Sequence, residues 1–339
     1  MDTAEAHNEQ TPYQYLTPDT ILNAVEQAGF RCNGTLLALN SYENRVYQIG
    51  LEEAPPLVAK FYRSGRWSDA AIREEHQFCL ALHAQELPVI APLCDRQGET
   101  LFAHQGYRFA LYPRQGGRPP ELDNRDHLEQ LGRLLGRLHA IGALRPYRQR
   151  LTLSVATWGE PSVQHVLASG LLPAGMQRSY QEITRQLLTV LQECFQEAGA
   201  CQRIRLHGDC HSGNLLWSST GPVLVDFDDS CQAPAIQDLW MCLSGDRHEQ
   251  ANQMAYLLRG YHTFYTFNRR ELQLIEPLRT LRMVHHAAWI ARRWHDPAFP
   301  IAFPWFNAPR YWEEHLHGLQ EQLHLLQTER EPLEPDWLG

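Results

Sequence analysis

The sequence has no long apolar run, and no stretch of its 339 residues approaches the length of a membrane-spanning helix. It also has no C-x-x-C pair and no dense cysteine framework, since its eight cysteines are scattered between Cys32 and Cys242. We find no internal repeat, no low-complexity tract and no secretory signal peptide. These absences predict a cytoplasmic protein with free thiols and no membrane partner.

A surplus of positive charge is missing as well. The chain has 30 Lys and Arg against 39 Asp and Glu, a formal net charge of −9. A broad nucleic-acid footprint is therefore not expected, because such surfaces need clustered basic residues. The charge of a phosphate ligand would have to be neutralised by a few local cationic side chains and a metal ion. The apolar content of 43% is enough for a substantial core, and the length suits one large or two ordinary domains.

What the chain does contain is a polar turn between two apolar segments. Residues 206–217 read Leu-His-Gly-Asp-Cys-His-Ser-Gly-Asn-Leu-Leu-Trp, and the next apolar run ends in Asp226-Phe227-Asp228. The spacing H-x-D-x-x-x-x-N matches the catalytic loop of protein kinases, with Gly208 in place of Arg. The later Asp-Phe-Asp lies where kinases have Asp-Phe-Gly. Together the two motifs predict a phosphoryl-transfer site on a strand–loop–strand unit.

Three oxygen-bearing side chains have distinct roles in such chemistry. Asp209 is the candidate catalytic residue that accepts the proton of the attacking hydroxyl. Asn214 and Asp226 supply one neutral and one anionic oxygen, the hard ligands that Mg²⁺ prefers. We assign Asp226 a catalytic role too, because it would connect the metal to the transferring group.

A zinc site on His207, Cys210 and His211 is the alternative for the same turn. The H-x-x-x-H spacing suits one face of a helix, but Gly208 and Gly213 disfavour a helix there. His207 is expected instead to pack and hydrogen-bond within the turn, with the next cysteine buried as filler. Two further acids, Asp228 and Asp229, are expected to be solvated or to cap the following turn. Asp238, at the start of a later helix, is expected to brace the catalytic turn.

The N-terminal third predicts an antiparallel sheet. Apolar residues alternate from Leu36 to Ile49 around a polar centre, which predicts a hairpin, and a further strand covers 57–62. The phosphate loop G-x-G-x-x-G is absent. Ser41 and the amides around it either cover nucleotide phosphates or form an ordinary hairpin tip, and this stretch alone favours neither.

Lys60 closes the strand Val-Ala-Lys, and a helix is predicted over 68–84 with the pair Glu74-Glu75. A glutamate about fifteen residues after such a lysine, on a helix packed on the same sheet, is placed to pair with it. We favour Glu75, because Phe78 and Leu82 follow at i+3 and i+7. Glu74 would then lie on the surface.

A strand over 107–112 runs into Pro113 and Gly116-Gly117, where we predict a hinge. The crevice beside it, read by strand backbone around Leu111 to Pro113, would take adenine. Beyond it the patterns are helical, starting from a helix capped by Asp126. We predict an α+β, bilobal, protein-kinase-like fold: residues 1–112 form a small antiparallel sheet with a helix, and 113–339 a larger, mainly helical lobe. The apolar, Pro-broken stretch 297–306 is expected to pack in the core rather than line a substrate channel.

With these residues in place, the sequence resembles the aminoglycoside-phosphotransferase and choline-kinase type of kinases, and within it bacterial kinases of the stress response. The resemblance extends roughly from Leu16 to Trp312 and is carried by residues 39–47, 74–78, 206–214, 237–240 and 296–300. It implies a two-lobed kinase fold, ATP and Mg²⁺ as cofactors, Ser41 at the ATP site, and Ser or Thr of a protein as the acceptor.

The leading hypothesis is an ATP- and Mg²⁺-dependent kinase acting on a hydroxyl of a protein. Lys60, held by Glu75, would contact the ATP phosphates. One alternative is a kinase of a small alcohol or amino-sugar hydroxyl, since one scaffold can serve many substrates. Others are a non-catalytic nucleotide-binding module and a zinc hydrolase. The sequence carries no oligomer signal, so a monomer is the default expectation.

Overall fold

The computed structural model describes residues 12–328 and 333. Within them, two-residue alternation early in the chain produces strands, and apolar stripes with helical spacing produce most of the rest. The strands are β1 Cys32–Leu39, β2 Arg45–Leu51, β3 Leu57–Phe61, β4 Phe102–His104, β5 Tyr107–Pro113, β6 Ile204–Leu206, β7 Leu215–Ser218, β8 Gly221–Leu224 and β9 Cys231–Ala233.

The α-helices of the described residues are α1 Pro18–Gln27, α2 Asp69–Ala84, α3 Arg125–Gly142, α4 Glu160–Ala168, α5 Gln177–Glu197, α6 Ile236–Trp240, α7 Arg247–Tyr261, α8 Ile275–Arg292, α9 Ala298–Ala302 and α10 Pro309–Thr328. Short 3₁₀ turns cover Ser212–Asn214, Phe227–Asp229 and Arg269–Leu274. None of the described helices is long and apolar enough to span a bilayer.

The first five strands form one antiparallel sheet in the order β1-β2-β3-β5-β4. Lys60 lies on the central strand, opposite Val46 on one neighbour and Ala110 on the other. The remaining strands form two small ladders, β6 with β9 and β7 with β8. The predicted hairpin and third strand are confirmed. The apolar run at 89–93 favours one more strand of this sheet, but it forms only an isolated bridge, from Val89 to β8.

Local capping explains where several helices begin. Thr17 caps α1, with Pro18 in its first turn, and Ser68 caps α2 by accepting a hydrogen bond from the Ala71 amide. The prediction that Asp126 caps α3 is wrong. Asn124 is the cap and accepts from two amides, so Asp126 lies inside the first turn, where its charge favours the helix dipole.

The apolar side chains divide into separate buried clusters. One lies between α1 and the five-stranded sheet and includes Ile21, Ile49 and Phe109. A much larger one fills the helical remainder, and α2 contributes Phe78 and Leu82 to it. The predicted α+β, protein-kinase-like fold is therefore confirmed: an N-terminal antiparallel sheet with a mostly helical remainder. The boundary at 112/113 stays a prediction, and residues 1–11 of the first lobe lie outside the described residues.

The stretch 297–306 packs in the core only in part. Phe299 and Phe306 are fully buried in the large core, whereas Ile301 is 80% and Trp305 44% exposed. All eight cysteines are free, as predicted, and five of them are buried.

Candidate active site

The polar turn is held in shape by Asp238 of α6. Its carboxylate is completely buried and accepts hydrogen bonds from the amides of His207 (2.9 Å) and Gly208 (2.8 Å). His139 of α3 donates to the same carboxylate at 3.0 Å. The predicted bracing role of Asp238 is confirmed, since the charge of this residue is satisfied by the turn itself.

Gly208 and His207 of the turn are closely constrained by their surroundings. Gly208 has φ +87°, and a Cβ there would lie 2.2 Å from the backbone oxygen of Asp229. His207 is fully buried, with Nε2 2.9 Å from the Val225 carbonyl oxygen and Nδ1 accepting from the Asp209 amide at 3.3 Å. Both of its ring nitrogens are therefore hydrogen-bonded to backbone atoms, one of Val225 and one of Asp209. Cys210 is buried, as expected.

Asp209 lies at the mouth of this turn between two positively polarised neighbours. Its Oδ1 is 2.7 Å from Nη1 of Arg282 on α8, and its Oδ2 is 3.3 Å from Nε2 of His211. Burial would raise the pKa of this carboxyl, but the His211 hydrogen bond and the Arg282 charge together hold it well below its usual range. Asp209 is thus an ionised carboxylate, able to accept a hydrogen bond from a hydroxyl group.

Asn214 connects the two predicted motifs. Its side-chain nitrogen donates to the backbone oxygen of Asp209 at 2.9 Å, and its own backbone oxygen accepts from the Val225 amide at 3.1 Å. The amide nitrogen faces Asp209, so Oδ1 is the atom left to bind a cation. Asp226, which follows Val225, has the left-handed conformation φ 60°, ψ 72°, and its side chain is 53% exposed.

Lys60 lies directly beside Asp226. The ammonium is 2.7 Å from Asp226 Oδ1 and 3.3 Å from Asp228 Oδ1, and its side chain is only 8% exposed. Burial would lower the pKa of this lysine, but the two carboxylates raise it well above the usual value. The central strand of the sheet and the segment after β8 therefore meet at this ion cluster of Lys60, Asp226 and Asp228, although they are far apart in sequence.

The predicted pair between Lys60 and Glu75 is not formed in this structure. Glu75 is buried on α2, accepts a hydrogen bond from the Cys79 thiol at 3.1 Å, and has a pKa that burial raises to about 7. Lys60 pairs instead with acids of the catalytic segment. Glu74, expected at the surface, is half-buried, and its carboxylate accepts hydrogen bonds from the backbone amides of residues 148–150.

Asp228 and Arg66 are the main features that the sequence did not reveal. Asp228 was expected to be solvated or to cap a turn, yet it is 5% exposed and pairs with both Lys60 and Arg66. Arg66 also binds Asp229. The positive charges hold the pKa of Asp228 below its usual range, although burial opposes them. Arg66 follows β3 in an irregular segment, where no periodicity marks it as a site residue.

Ser41 lies at the tip of the β1–β2 hairpin and donates to the Asn44 backbone oxygen at 3.1 Å. The side chain of Asn44 then donates to Asp228 at 3.2 Å, which links the hairpin tip to the ion cluster. Glu43 anchors the same tip to α8, with Arg293 and the Trp289 indole each 2.6 Å away. The hairpin tip is therefore held beside the segment that carries Asp226 and Asp228.

The donor set is suitable for a cation that brings ligands of its own. No group of three or more His, Cys, Asp or Glu side chains in the described residues is arranged to hold a metal ion. Mg²⁺ characteristically uses one or two protein carboxylates and completes its shell with substrate phosphates and water. The amide oxygen of Asn214 and the exposed carboxylate of Asp226 fit that pattern, whereas tight zinc binding would need more protein ligands.

Comparison with known proteins agrees with this geometry. Residues 35–275 match the phosphotransferase enzyme family, and the chain belongs to it. Over 314 residues it is 46% identical to "Stress response kinase A" of Salmonella choleraesuis (strain SC-B67), covering 93% of this chain and 94% of that protein. It is 45% identical to "Serine/threonine protein kinase RdoA" of Salmonella typhimurium, with the same coverage. The resemblance predicted from the motifs is confirmed.

Among solved structures, the chain is similar to amicoumacin kinase hAmiN in complex with AMP-PNP, Ca²⁺ and Ami. The TM-score is 0.70, with 94% of this chain and 95% of that chain covered. Sequence identity is 18%, so this likeness supports the fold. Fold and family together make the chain a phosphotransferase of the kinase type.

Proposed function

We propose that this chain is an ATP- and Mg²⁺-dependent kinase that transfers the γ-phosphoryl group to a hydroxyl, with Ser or Thr of a protein as the favoured acceptor. One observation carries the proposal: Asn214 bonds both to Asp209 and to the Val225 amide, and the residue after Val225, Asp226, lies 2.7 Å from the buried ammonium of Lys60. A base, oxygen ligands and a phosphate-binding cation are the parts that phosphoryl transfer requires.

In this mechanism Asp209 receives the proton of the acceptor hydroxyl. The hydroxyl oxygen forms a bond to the γ-phosphorus while the bond from that phosphorus to the β–γ bridging oxygen breaks. The products are ADP and a phosphate monoester, and the proton passes to Asp209 and then to water. Because its carboxyl is ionised, Asp209 orients the hydroxyl as well as accepting its proton.

The nucleotide side uses the remaining residues. Mg²⁺, held by Asn214 and Asp226, would neutralise the phosphate oxygens when bound. Lys60 would exchange Asp226 for the phosphates and be steadied by Glu75, which lies buried nearby. Ser41 and the amides of the hairpin tip would cover the phosphates. Adenine would lie beside the end of β5, at the junction between the proposed lobes 1–112 and 113–339.

Two acceptor classes remain for testing. The relative named as a serine/threonine protein kinase supports a protein acceptor. Amicoumacin kinase shares the fold and supports the alternative, a hydroxyl of a small molecule. A non-catalytic nucleotide-binding module is disfavoured, because it would have lost the lysine, the base or a metal ligand, and all are present. We further propose a cytoplasmic monomer with a role in the stress response, following the names of the relatives.

The decisive experiment compares wild type with Asp209→Asn. Each purified protein is incubated with Mg²⁺ and ATP labelled on its γ-phosphate, beside a proteome extract and a panel of small alcohols. We expect Asp209→Asn to lose transfer by at least about 100-fold while nucleotide affinity stays within about twofold, because the general base does not bind ATP. Asp123→Asn, an exposed acid outside the site, is the matched control. Full turnover by Asp209→Asn would remove Asp209 from this role.

A further inference from the structure

Arg282 occupies the place beside the base where an acceptor must enter. It lies on α8, its side chain is 33% exposed, and Nη1 is 2.7 Å from Asp209 Oδ1. That oxygen is buried yet accepts no hydrogen bond within the described residues, so the contact is an ion pair with an unfavourable hydrogen-bond angle. The guanidinium therefore faces the base without being tied to it by a directional bond.

The two oxygens of Asp209 differ in what surrounds them. Oδ2 is approached by His211 at 3.3 Å and by the Asn214 amide nitrogen at 3.4 Å. Oδ1 has no hydrogen-bond partner in the described residues and is covered by Arg282, so an incoming hydroxyl reaches it only when the guanidinium shifts. An acceptor that donates its proton to Oδ1 thus places its neighbouring atoms against a guanidinium, which has four N–H donors beyond the one aimed at Asp209.

The positive charge beside Asp209 Oδ1 comes from Arg282. Arg282 has no other carboxylate within 4.0 Å in the part of the chain that the structure describes. His286, one helical turn further along α8, adds no positive charge, because burial and the Arg282 guanidinium lower its pKa. A cationic acceptor would meet repulsion here, and an anionic one would be attracted.

Building on the proposed function, we propose that Arg282 selects an acceptor with an anionic group, a carboxylate or a phosphate, close to the reacting hydroxyl. When the acceptor binds, the guanidinium exchanges part of its contact with Asp209 for a bidentate contact with that anion, which is its preferred geometry. In a protein this means Ser or Thr beside Asp, Glu or a phosphorylated residue. Among small molecules it means a hydroxy acid rather than an amino alcohol.

The test measures transfer to acceptors that differ only in charge. One arm uses Ser- and Thr-centred peptides flanked by Glu, Ala or Lys; the other uses glycerate, glycerol and aminopropanol. We expect wild type to prefer the Glu-flanked peptides or glycerate by at least about tenfold in kcat/KM. Arg282→Ala should abolish that preference, mainly by raising KM, and Arg282→Glu should reverse it. Arg279→Ala, which removes an arginine paired with Glu276 on the same helix, should keep the wild-type preference.

The outcomes separate this proposal from the one on which it rests. Preference of wild type for neutral or basic acceptors overturns the role of Arg282, as does an equal loss of kcat for every acceptor in Arg282→Ala. Transfer to no acidic acceptor in either arm, with ATP binding intact, also counts against it. Failure of wild type to bind ATP or transfer phosphate to anything in the extract would instead overturn the kinase function itself.

Discussion

Asp226 is the residue at which the segment after β8 meets the N-terminal sheet. It holds Lys60 at 2.7 Å, and its left-handed backbone turns the carboxylate outward, where it is half exposed. Few non-glycine residues adopt this conformation, although Asp and Asn tolerate it better than most. The sequence indicated the residue, through its place at the end of an apolar run, but gave no indication of its conformation.

We expect Asp226→Ala to bind a non-hydrolysable ATP analogue at least about tenfold more weakly in Mg²⁺, because a ligand that bridges metal and phosphate is lost. Its affinity should then equal that of wild type in a chelator. Isothermal titration calorimetry with and without Mg²⁺ measures both. Asp226→Asn serves as the control for the left-handed backbone, which Asn accepts more readily than Ala. Unchanged metal dependence in Asp226→Ala would assign the metal to other ligands.

Glu75 provides a prediction about pH. Its pKa is raised by burial from 4.5 to about 7, so the folded chain holds a proton that the unfolded chain releases. The stabilising protonation is complete below pH 4.5 and is lost as the pH rises through about 7. As the pH rises from 4.5 to 7, Glu75→Gln should therefore lose less stability than wild type. The difference should be roughly 1.4 kcal/mol for each unit that separates the folded from the unfolded pKa of Glu75. Urea unfolding across pH 4.5–7.5 measures the difference; parallel curves would contradict it.

At the scale of elements, the turn between β6 and β7 depends on α6. Asp238→Ala would leave the amides of His207 and Gly208 and the ring of His139 without their acceptor. Each unpartnered buried donor costs about 1–3 kcal/mol. We expect a large loss of stability, and a fall in kcat even where the protein is still folded. Denaturation and steady-state kinetics measured together test this.

Asp246→Ala is the matched control. Asp246 caps α7 through a reciprocal capping box and lies away from the turn. Its loss should cost about 1 kcal/mol of stability without a change in kcat. Equal kinetic effects of the two variants would mean that Asp238 acts on the fold alone.

These elements also show which structural features can be predicted from local sequence patterns. The cap of α1, the first hairpin and the helix that carries Glu75 were predictable, because their signals lie within a few residues of each other. The cap of α3 was not predictable, because Asn124 and Asp126 are both suitable capping residues and Asn124 has the better position. Asp228 was misread because its partner Arg66 is 162 residues away in sequence, and nothing local distinguishes a solvated acid from one in a buried ion pair.

At the scale of the whole molecule, buried ion pairs join the hairpin of the sheet to the helical remainder. Asp296, just after α8, pairs with Arg45 at 3.3 Å and with Arg63, while Glu43 pairs with Arg63 and Arg293. Asp296 is 4% exposed. The β1–β2 hairpin is therefore held by ion pairs rather than by apolar packing alone.

Asp296→Ala should destabilise the chain by about 3 kcal/mol, because the buried Arg63 then keeps only Glu43 as an acid partner and Arg45 keeps none among the described residues. It should also free the hairpin tip, so amide hydrogen exchange should accelerate over residues 41–45. Glu121→Ala, which breaks the exposed pair with Arg118, should cost under about 1 kcal/mol. Equal effects of the two substitutions would show that the buried pairs do not hold the hairpin.

The contact between Lys60 and Asp226 has a consequence for the order in which ligands arrive. An ammonium 2.7 Å from a carboxylate oxygen repels any free divalent ion that approaches the same oxygen. A metal already chelated by a triphosphate avoids that penalty, because the phosphate oxygens draw the ammonium away as the metal takes its place. We therefore expect the metal to enter as its nucleotide complex, and titration with free Mg²⁺ alone to release almost no heat.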